Sequence, residues 1–468
     1  MRRAVAAAAL GASLLLAAPA GAAPKTLQTG VMDQAALGSP QRDVWLGRAR
    51  KAGIERVRLA FGWSAISPTA PPVDQASSAA WPGYRWDAVD AQVRAVVAAG
   101  MTPLLSFNGA PAWAQEPGRP NGVVASAWKP DPGAFGRFMR AAAERYSGRF
   151  PDPLAPGSAL PRVRQFQVWN EPNLDLYLAP QKIGGEPFAP VRFRQLVNAG
   201  YAGVKAVQPD ATVVAAGLAP FGDPGANPRR TRPVEFLRSM LCLDGALRKR
   251  CAEPTFVDVL SHHPYGVDRP GRAAYAGDDA TVPDLERLTR VISAARTAGT
   301  LGPRRPQLWV TEFGYDSSPP DPKGVPTATR ARWISEALWR MWRAGVPAVY
   351  WYLLQDQAPT PSFAATYQSG LYVRDGRAKA DLRAFRFPLL VTRTTPERHY
   401  VWFRTPAAGT VAIQARRGGR WRTVLRRRKL QKDQVVTVRI GRRSGVRAFR
   451  GVVGRTTSYA WSLSAASR

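Results

Sequence analysis

The sequence predicts an α/β protein, a (β/α)8 TIM barrel with a small C-terminal β-sandwich domain. Three observations predict it. From Leu27 onward, short apolar runs alternate with longer amphipathic segments, the texture of parallel strands separated by helices. Four amphipathic segments end on glycine, at Gly53, Gly100, Gly299 and Gly345, each just ahead of the next apolar run, where a left-handed residue stops a helix. After Pro388 the helical periodicity gives way to short β-rich runs between Gly- and Arg-rich turns.

In chain order, the first strand is expected over Leu27–Asp33 and its helix over Gln41–Ala52. The second pair is Arg56–Trp63 with Trp86–Ala99. The third is Thr102–Asn108, whose helix runs to Arg145 from an Asp131 N-cap followed by proline at the first helical position. The fourth is Val163–Trp169 with Val191–Val207, and the fifth is Thr212–Gly217 with Val234–Leu241. The sixth is Phe256–Ser261 with Asp284–Ala298, and the seventh is Gln307–Thr311 with Thr327–Ala344. Ala348–Leu353 and Asp381–Phe385 complete the set. A doubly wound sheet is the alternative, but it usually carries a Gly-rich turn after its first strand, and Val31 to Ala35 shows none. The sandwich strands are expected over Tyr400–Arg404, Thr410–Ala415, Arg420–Leu425, Gln434–Ile440, Gly445–Arg450 and Tyr459–Leu463. The insertions 65–83, 151–161, 183–190 and 221–233 are expected to wall a cleft.

These elements imply three regions: a signal peptide over 1–23, a catalytic barrel over 24–387 and a basic domain over 388–468. The leader has Arg2 and Arg3, an Ala/Leu-rich run from Ala4 to Ala18, and the small residues Ala20-Gly21-Ala22. The apolar run is short for a membrane span, so a secreted chain with no transmembrane segment after cleavage is expected. In an exported chain the two cysteines, Cys242 and Cys251, are expected to pair. No histidine or second cysteine pair lies near them, so no metal is implied, and no cofactor is implied anywhere. The formal charge is +33, and the segment from Pro388 to Arg468 holds 19 Lys/Arg against Glu397 and Asp433 alone. Such a tail attracts polyanions, an anionic cell-surface polymer among them. It lacks the aromatic strand signature or zinc finger of a specific nucleic-acid binder.

In a barrel of this kind chemistry sits at the C-terminal ends of the strands. The fourth strand leads into Trp169-Asn170-Glu171-Pro172-Asn173 and the seventh into Thr311-Glu312-Phe313-Gly314. Two carboxylates facing each other across the mouth, one protonated and one ionised, are what retaining glycoside hydrolysis needs. Trp169 and Pro172 give Glu171 the more apolar surroundings, so Glu171 is expected to be the protonated partner and Glu312 the nucleophile. Asn170 is placed to hydrogen-bond a sugar hydroxyl. Asp33, Asp316 and Asp356 are expected to be solvated loop acids, and Trp63, Trp113, Trp128 and Tyr315 are further candidates for stacking on sugar.

Asn170-Glu171-Pro172 after Val-Trp, with Glu312 on the seventh strand, resembles clan A of the glycoside hydrolases, which includes the family 5 cellulase-like and family 39 enzymes. The resemblance spans about residues 27–387. It implies that Arg58 holds the nucleophile ionised, that Tyr265 in His263-Pro264-Tyr265 donates to Glu312, and that Trp351 is the aromatic platform beneath the sugar. Asn108 is expected to touch sugar or hold a loop. The doubled histidine, His262-His263, leaves the site residue open, and alternation favours His263, on the same face as Ser261 and Tyr265. The substrate implied is a poly- or oligosaccharide, with transglycosylation open to the same intermediate. The competing reading is a non-catalytic carbohydrate or cell-wall polyanion binder on the same barrel.

Overall fold

A computed structural model of the chain describes residues 23–225 and 228–463. The leader expected over 1–23 lies almost wholly outside the described residues.

Eight strands form a closed barrel: β1 (Gln28–Met32), β2 (Arg56–Gly62), β3 (Thr102–Asn108), β4 (Gln165–Val168), β5 (Thr212–Leu218), β6 (Val259–His262), β7 (Gln307–Phe313) and β8 (Ala348–Tyr352). Each pairs in parallel with its sequence neighbours, and β1 closes on β8. The helices that follow them in turn are α1 (Arg42–Lys51), α2 (Asp87–Ala98), α3 (Pro132–Arg145), α4 (Ala189–Val207), α5 (Pro233–Met240), α6 (Leu285–Thr297), α7 (Thr327–Arg343) and α8 (Leu382–Arg386). Every expected strand–helix pair is present, and the doubly wound alternative is excluded by closure.

Local chemistry explains the ends. Asp131 caps α3 by accepting from the Ala134 N–H at 2.6 Å. Gly53, Gly100, Gly299 and Gly345 follow α1, α2, α6 and α7 with φ between 66° and 89°, a conformation that costs a residue with a Cβ. On α7 the buried residues Ala331, Ile334, Ala337, Leu338 and Met341 recur at three- and four-residue spacing, the stripe that seats a helix on a sheet. The sixth strand begins later than expected, at Val259 rather than Phe256. Phe256 stands at the surface, 36% exposed, and the chain joins the sheet only where the Asp258 N–H reaches the Val213 carbonyl.

The barrel interior is layered. Leu104, Val214, Val259, Trp309, Ala348 and Tyr350 fill its lower part as one apolar cluster. Above them the same inward-facing rows turn polar, with Arg58, Ser106, Gln167, Ser261 and Thr311, all buried. The larger apolar layer lies outside the strands, under the helices.

The C-terminal strands are β9 (Leu389–Thr394), β10 (Arg398–Arg404), β11 (Gly409–Arg417), β12 (Arg420–Leu430), β13 (Val435–Gly441), β14 (Val446–Val453), β15 (Thr456–Thr457) and β16 (Trp461–Ser462). They make two antiparallel sheets, β9-β10-β13 and β12-β11-β14 with the two short strands on β14. Phe387, Val401, Phe403, Val411, Ile413, Val438 and Phe449 form the core of this sandwich. Strand β9 was not expected, because Arg393, Thr394 and their neighbours carry no clear alternation beyond the two buried leucines, Leu389 and Leu390.

Two expectations need correcting. The insertion 151–161 joins α3 to β4 and therefore lies at the foot of the barrel, where Asp152 pairs with Arg94 at 2.6 Å; it walls no cleft at the mouth. Asp33 and Asp356 are not solvated. Asp33 is 2% exposed and accepts from the N–H groups of Ala36, Leu354 and Gln355, tying the end of β1 to the end of β8. Asp356 is buried against Lys379 at 2.6 Å, and the half-buried Asp316 accepts from the Gln368 N–H. Cys242 and Cys251 form a disulfide, as expected.

The sandwich docks through Arg404. Its fully buried guanidinium donates to the Leu27 and Arg386 carbonyls and the Thr29 hydroxyl and pairs with Asp433 at 2.5 Å. Removing one partner of such a pair strands a buried charge. Arg404→Met should therefore lower the unfolding free energy by about 3–5 kcal/mol in urea titration; a loss below about 1 kcal/mol would show that Arg404 is not the tie between barrel and sandwich.

Candidate active site

Arg58 occupies the centre of the barrel mouth. It is 1% exposed and meets Gln167 Oε1 at 3.0 Å, Asn170 Oδ1 at 2.7 Å and Glu312 Oε2 at 2.8 Å. Gln167 in turn donates to the Trp169 carbonyl. One guanidinium thus links β2, β4 and β7 in a plane, a task that its fixed fork of donors suits.

The strand ends are irregular where they must be. In a regular β7, Thr311 and Glu312 would face opposite sides of the sheet. Between Val310 and Phe313 the strand advances three residues while β8 advances two, from Val349 to Trp351. The extra residue is a bulge, and it turns both side chains to the mouth: Thr311 meets His263 and Glu312 meets Arg58. At the end of β4, Trp169 and Glu171 take left-handed φ values of 67° and 40°. Glu171 is held there by its N–H on the Gly217 carbonyl at 3.2 Å. Backbone strain of this kind persists only where surrounding contacts fix it, and it clusters at functional sites.

His263 stands between the two carboxylates. Its Nδ1 is 2.9 Å from Glu171 Oε1 and 3.8 Å from Glu312 Oε2. Those two oxygens therefore lie no farther apart than the sum of the distances, about 6.7 Å. Its Nε2 meets the Thr311 hydroxyl at 3.0 Å. Burial pushes the imidazole down to about 3, against the pull of Glu312, so the ring is neutral. A neutral ring beside a hydroxyl serves Glu171 in either state: Nδ1–H donates to the carboxylate, or the protonated acid donates to Nδ1 while the Thr311 hydroxyl reverses its role. His262 faces away, bonded to the Ala280 carbonyl at 2.8 Å.

The carboxyls differ in their surroundings. Burial pushes Glu171 up to about 7, with Arg58 opposing. Glu312 has the Arg58 ion pair on one oxygen and the Tyr265 phenol at 3.0 Å on the other, both contacts that suit a carboxylate. The Tyr265 phenol is raised well above its ordinary value by burial and by Glu312, so it remains a donor.

The structure brings together Glu171, Glu312, Asn170, Arg58, His263 and Tyr265. It does not bring Trp351 to the mouth, and the expected platform role is corrected. Trp351 is wholly buried behind the sheet, packed on Phe313 and Phe385, with its indole N–H on the Ser369 carbonyl. The same alternation that selects His263 puts Tyr350 and Tyr352 inside and Trp351 outside. Tyr352 is the aromatic residue on β8 that senses Glu312, and its ring packs edge-on to Tyr367 at 5.1 Å. Trp63 is also wholly buried, and Trp128 and Tyr315 are nearly so. Asn108, half-buried at the end of β3, makes no side-chain hydrogen bond among the described residues. Missing from the sequence reading were Gln167, Thr311, Tyr352 and the loop tyrosines Tyr177 and Tyr367, whose phenols both sense the two carboxylates. Gln167 and Thr311 were legible as polar residues within apolar strands; the loop tyrosines carried no periodic signal.

Compared with solved structures, the chain matches a family 39 glycoside hydrolase from the gut symbiont Bacteroides cellulosilyticus WH2 with a TM-score of 0.55 at 19% identity, over 89% of this chain and 79% of that chain. It matches a glucosidase from Croceicoccus marinus with a TM-score of 0.50 at 14% identity, over 90% of this chain and 95% of that one. At these identities the likeness is one of fold. No protein-family model and no curated protein matches the sequence.

The raised carboxyl has a consequence for stability. Glu171 titrates at about 7 in the folded chain, above its ordinary 4.5, so folding takes up a proton between those values. Its contribution favours the fold in acid and is lost as pH rises through about 7. Glu171→Gln should therefore raise the melting temperature at pH 8 relative to the parent and leave it nearly unchanged at pH 4. A parent as stable as the variant at pH 8 would contradict the burial of this charge.

Proposed function

We propose that the protein is a retaining glycoside hydrolase that cleaves O-glycosidic bonds of a poly- or oligosaccharide by double displacement. The observation that carries this reading is the pair of carboxyls sharing His263, one held up near neutral pH and the other paired with Arg58. In the first step Glu312 attacks the anomeric carbon while Glu171 gives its proton to the departing oxygen, leaving a glycosyl ester on Glu312. In the second, Glu171 takes a proton from water, whose oxygen attacks the same carbon and frees Glu312. The two oxygens that meet His263 lie within about 6.7 Å of each other, a bound that admits the short separation of double displacement and only the low end of the range that inversion uses. Arg58 and Tyr265 keep the departing carboxylate stable. Asn170, its oxygen held by Arg58, offers its amide N–H to a sugar hydroxyl. The fold shared with a family 39 glycoside hydrolase and a glucosidase agrees with the reading.

We propose further that the chain is exported, which the disulfide and the leader composition support; no helix among the described residues is long and apolar enough to cross a membrane. On that reading the cationic sandwich suits an anionic polymer met outside the cell.

A panel of natural glycans, with product anomers followed by NMR, tests the reaction: retained configuration is expected, and inverted product would exclude Glu312 as nucleophile. Glu312→Gln should lower turnover about a thousandfold or more. Because Glu171 must enter the first step protonated, kcat should fall about tenfold per pH unit above about 7, and the limb should vanish in Glu171→Gln.

A further inference from the structure

Two adjoining clefts lie on the flank of the molecule, one between the sandwich and the barrel and one on the sandwich alone. One, of about 480 Å³, is lined by Arg332 of α7, Arg383 of α8, Arg450 of β14, Trp421 of β12 and Tyr459. The other, of about 380 Å³, adds Arg416 and Arg447 and shares Trp421 as its wall. Among the described residues no carboxylate lines either cleft and none of these five arginines forms an ion pair. The acid that Arg332 senses, Glu336, is already bound to Arg340 at 2.7 Å.

Three of these arginines are instead stacked on rings. Arg450 lies 4.4 Å over Trp421, Arg332 3.9 Å over Trp461 and Arg383 5.8 Å over Tyr459. Among the described residues each of the three makes a single side-chain hydrogen bond, to Gln414, Ser462 and Ala380 respectively, which engages one of its five N–H donors. Arg332, Arg450, Trp421 and Tyr459 are half-buried, so this is a recess and not a solvated face. Burial lowers Arg332 and Arg450 from the ordinary guanidinium value, a cost that an arriving anion would offset.

We propose that this double cleft binds an acidic polysaccharide whose sugars carry carboxylates, such as a polyuronate. Forked guanidiniums match carboxylates in geometry as well as charge. Trp421 and Tyr459 offer the broad apolar faces against which a sugar ring packs. The exposed cations of β12, Arg420, Arg422, Arg426, Arg427, Arg428 and Lys429, add to the positive potential of the sandwich, which favours the approach of a long polyanion. The choice of a sugar polymer over other polyanions rests on the glycosidase reading of the barrel.

The test uses the full chain carrying Glu171→Gln, so that no bound polymer is cut, titrated calorimetrically at about 0.15 M salt. The probes are alginate, polygalacturonate, a neutral β-glucan of equal length and single-stranded DNA of equal charge. At least one polyuronate should bind more tightly than both the DNA and the neutral glucan. Trp421→Ala and Arg383→Ala should each weaken that binding about fivefold or more. Arg383 is exposed on the barrel side, so its removal leaves the sandwich intact even if Trp421→Ala unfolds it. The proposal is overturned if neither polyuronate binds, if the neutral glucan binds equally, or if DNA matches the polyuronate and Arg383→Ala changes nothing. Absence of cleavage by the parent enzyme on any glycan, with this binding intact, would instead sink the hydrolase reading alone.

Discussion

Everything at the barrel mouth is arranged around one buried cation. A guanidinium with no exposure to water is tolerable only when its donors are met, and Arg58 meets them with a carboxylate, two side-chain amides and a distant hydroxyl. Those partners come from β3, β4 and β7, so satisfying one residue of β2 fixes the relative height of four strands. It also divides the two acids. Glu312 receives the direct ion pair, whereas Glu171 feels Arg58 only at a distance and is left to the cost of burial. The chemical asymmetry of the pair is therefore set by which oxygen the cation touches.

His263 completes the division. A charged imidazole between the acids would hold both as carboxylates. Burial keeps the ring neutral, so it orients Glu171 without removing its proton. The neighbouring His262 is buried away from the acids, with its Nε2 on the Ala280 carbonyl and no partner for its Nδ1 among the described residues. Around this inner ring, Tyr177, Tyr352 and Tyr367 form a looser one, close enough for each phenol to feel a carboxylate.

The barrel was legible in the sequence because it repeats: a missed strand would have broken the count, and each Gly stop marks a boundary. The site was legible where a strand ends on a carboxylate, as at Glu171 and Glu312, and where alternation separates His263 from His262. It was not legible from the resemblance at Trp351, because alternation along β8 buries that indole behind the sheet and places Tyr352 inside. Solvation of loop acids failed for a different reason. Asp33 and Asp356 are buried by backbone N–H groups and a lysine that come from elsewhere in the chain, and no local pattern announces such partners. Loop residues such as Tyr367 reach the site through folds of chain that have no period to read.

The bulge in β7 means that the position of Glu312 is stored in the length of a strand as much as in its letters. A chain one residue shorter between Val310 and Phe313 would leave only one inward-facing side chain there, so it could keep the glutamate or the threonine that meets His263, but not both. Barrels that look alike by composition can thus differ wholly in competence. A search for relatives of this protein should compare the spacing of that segment against β8 before it compares the identity of the acids.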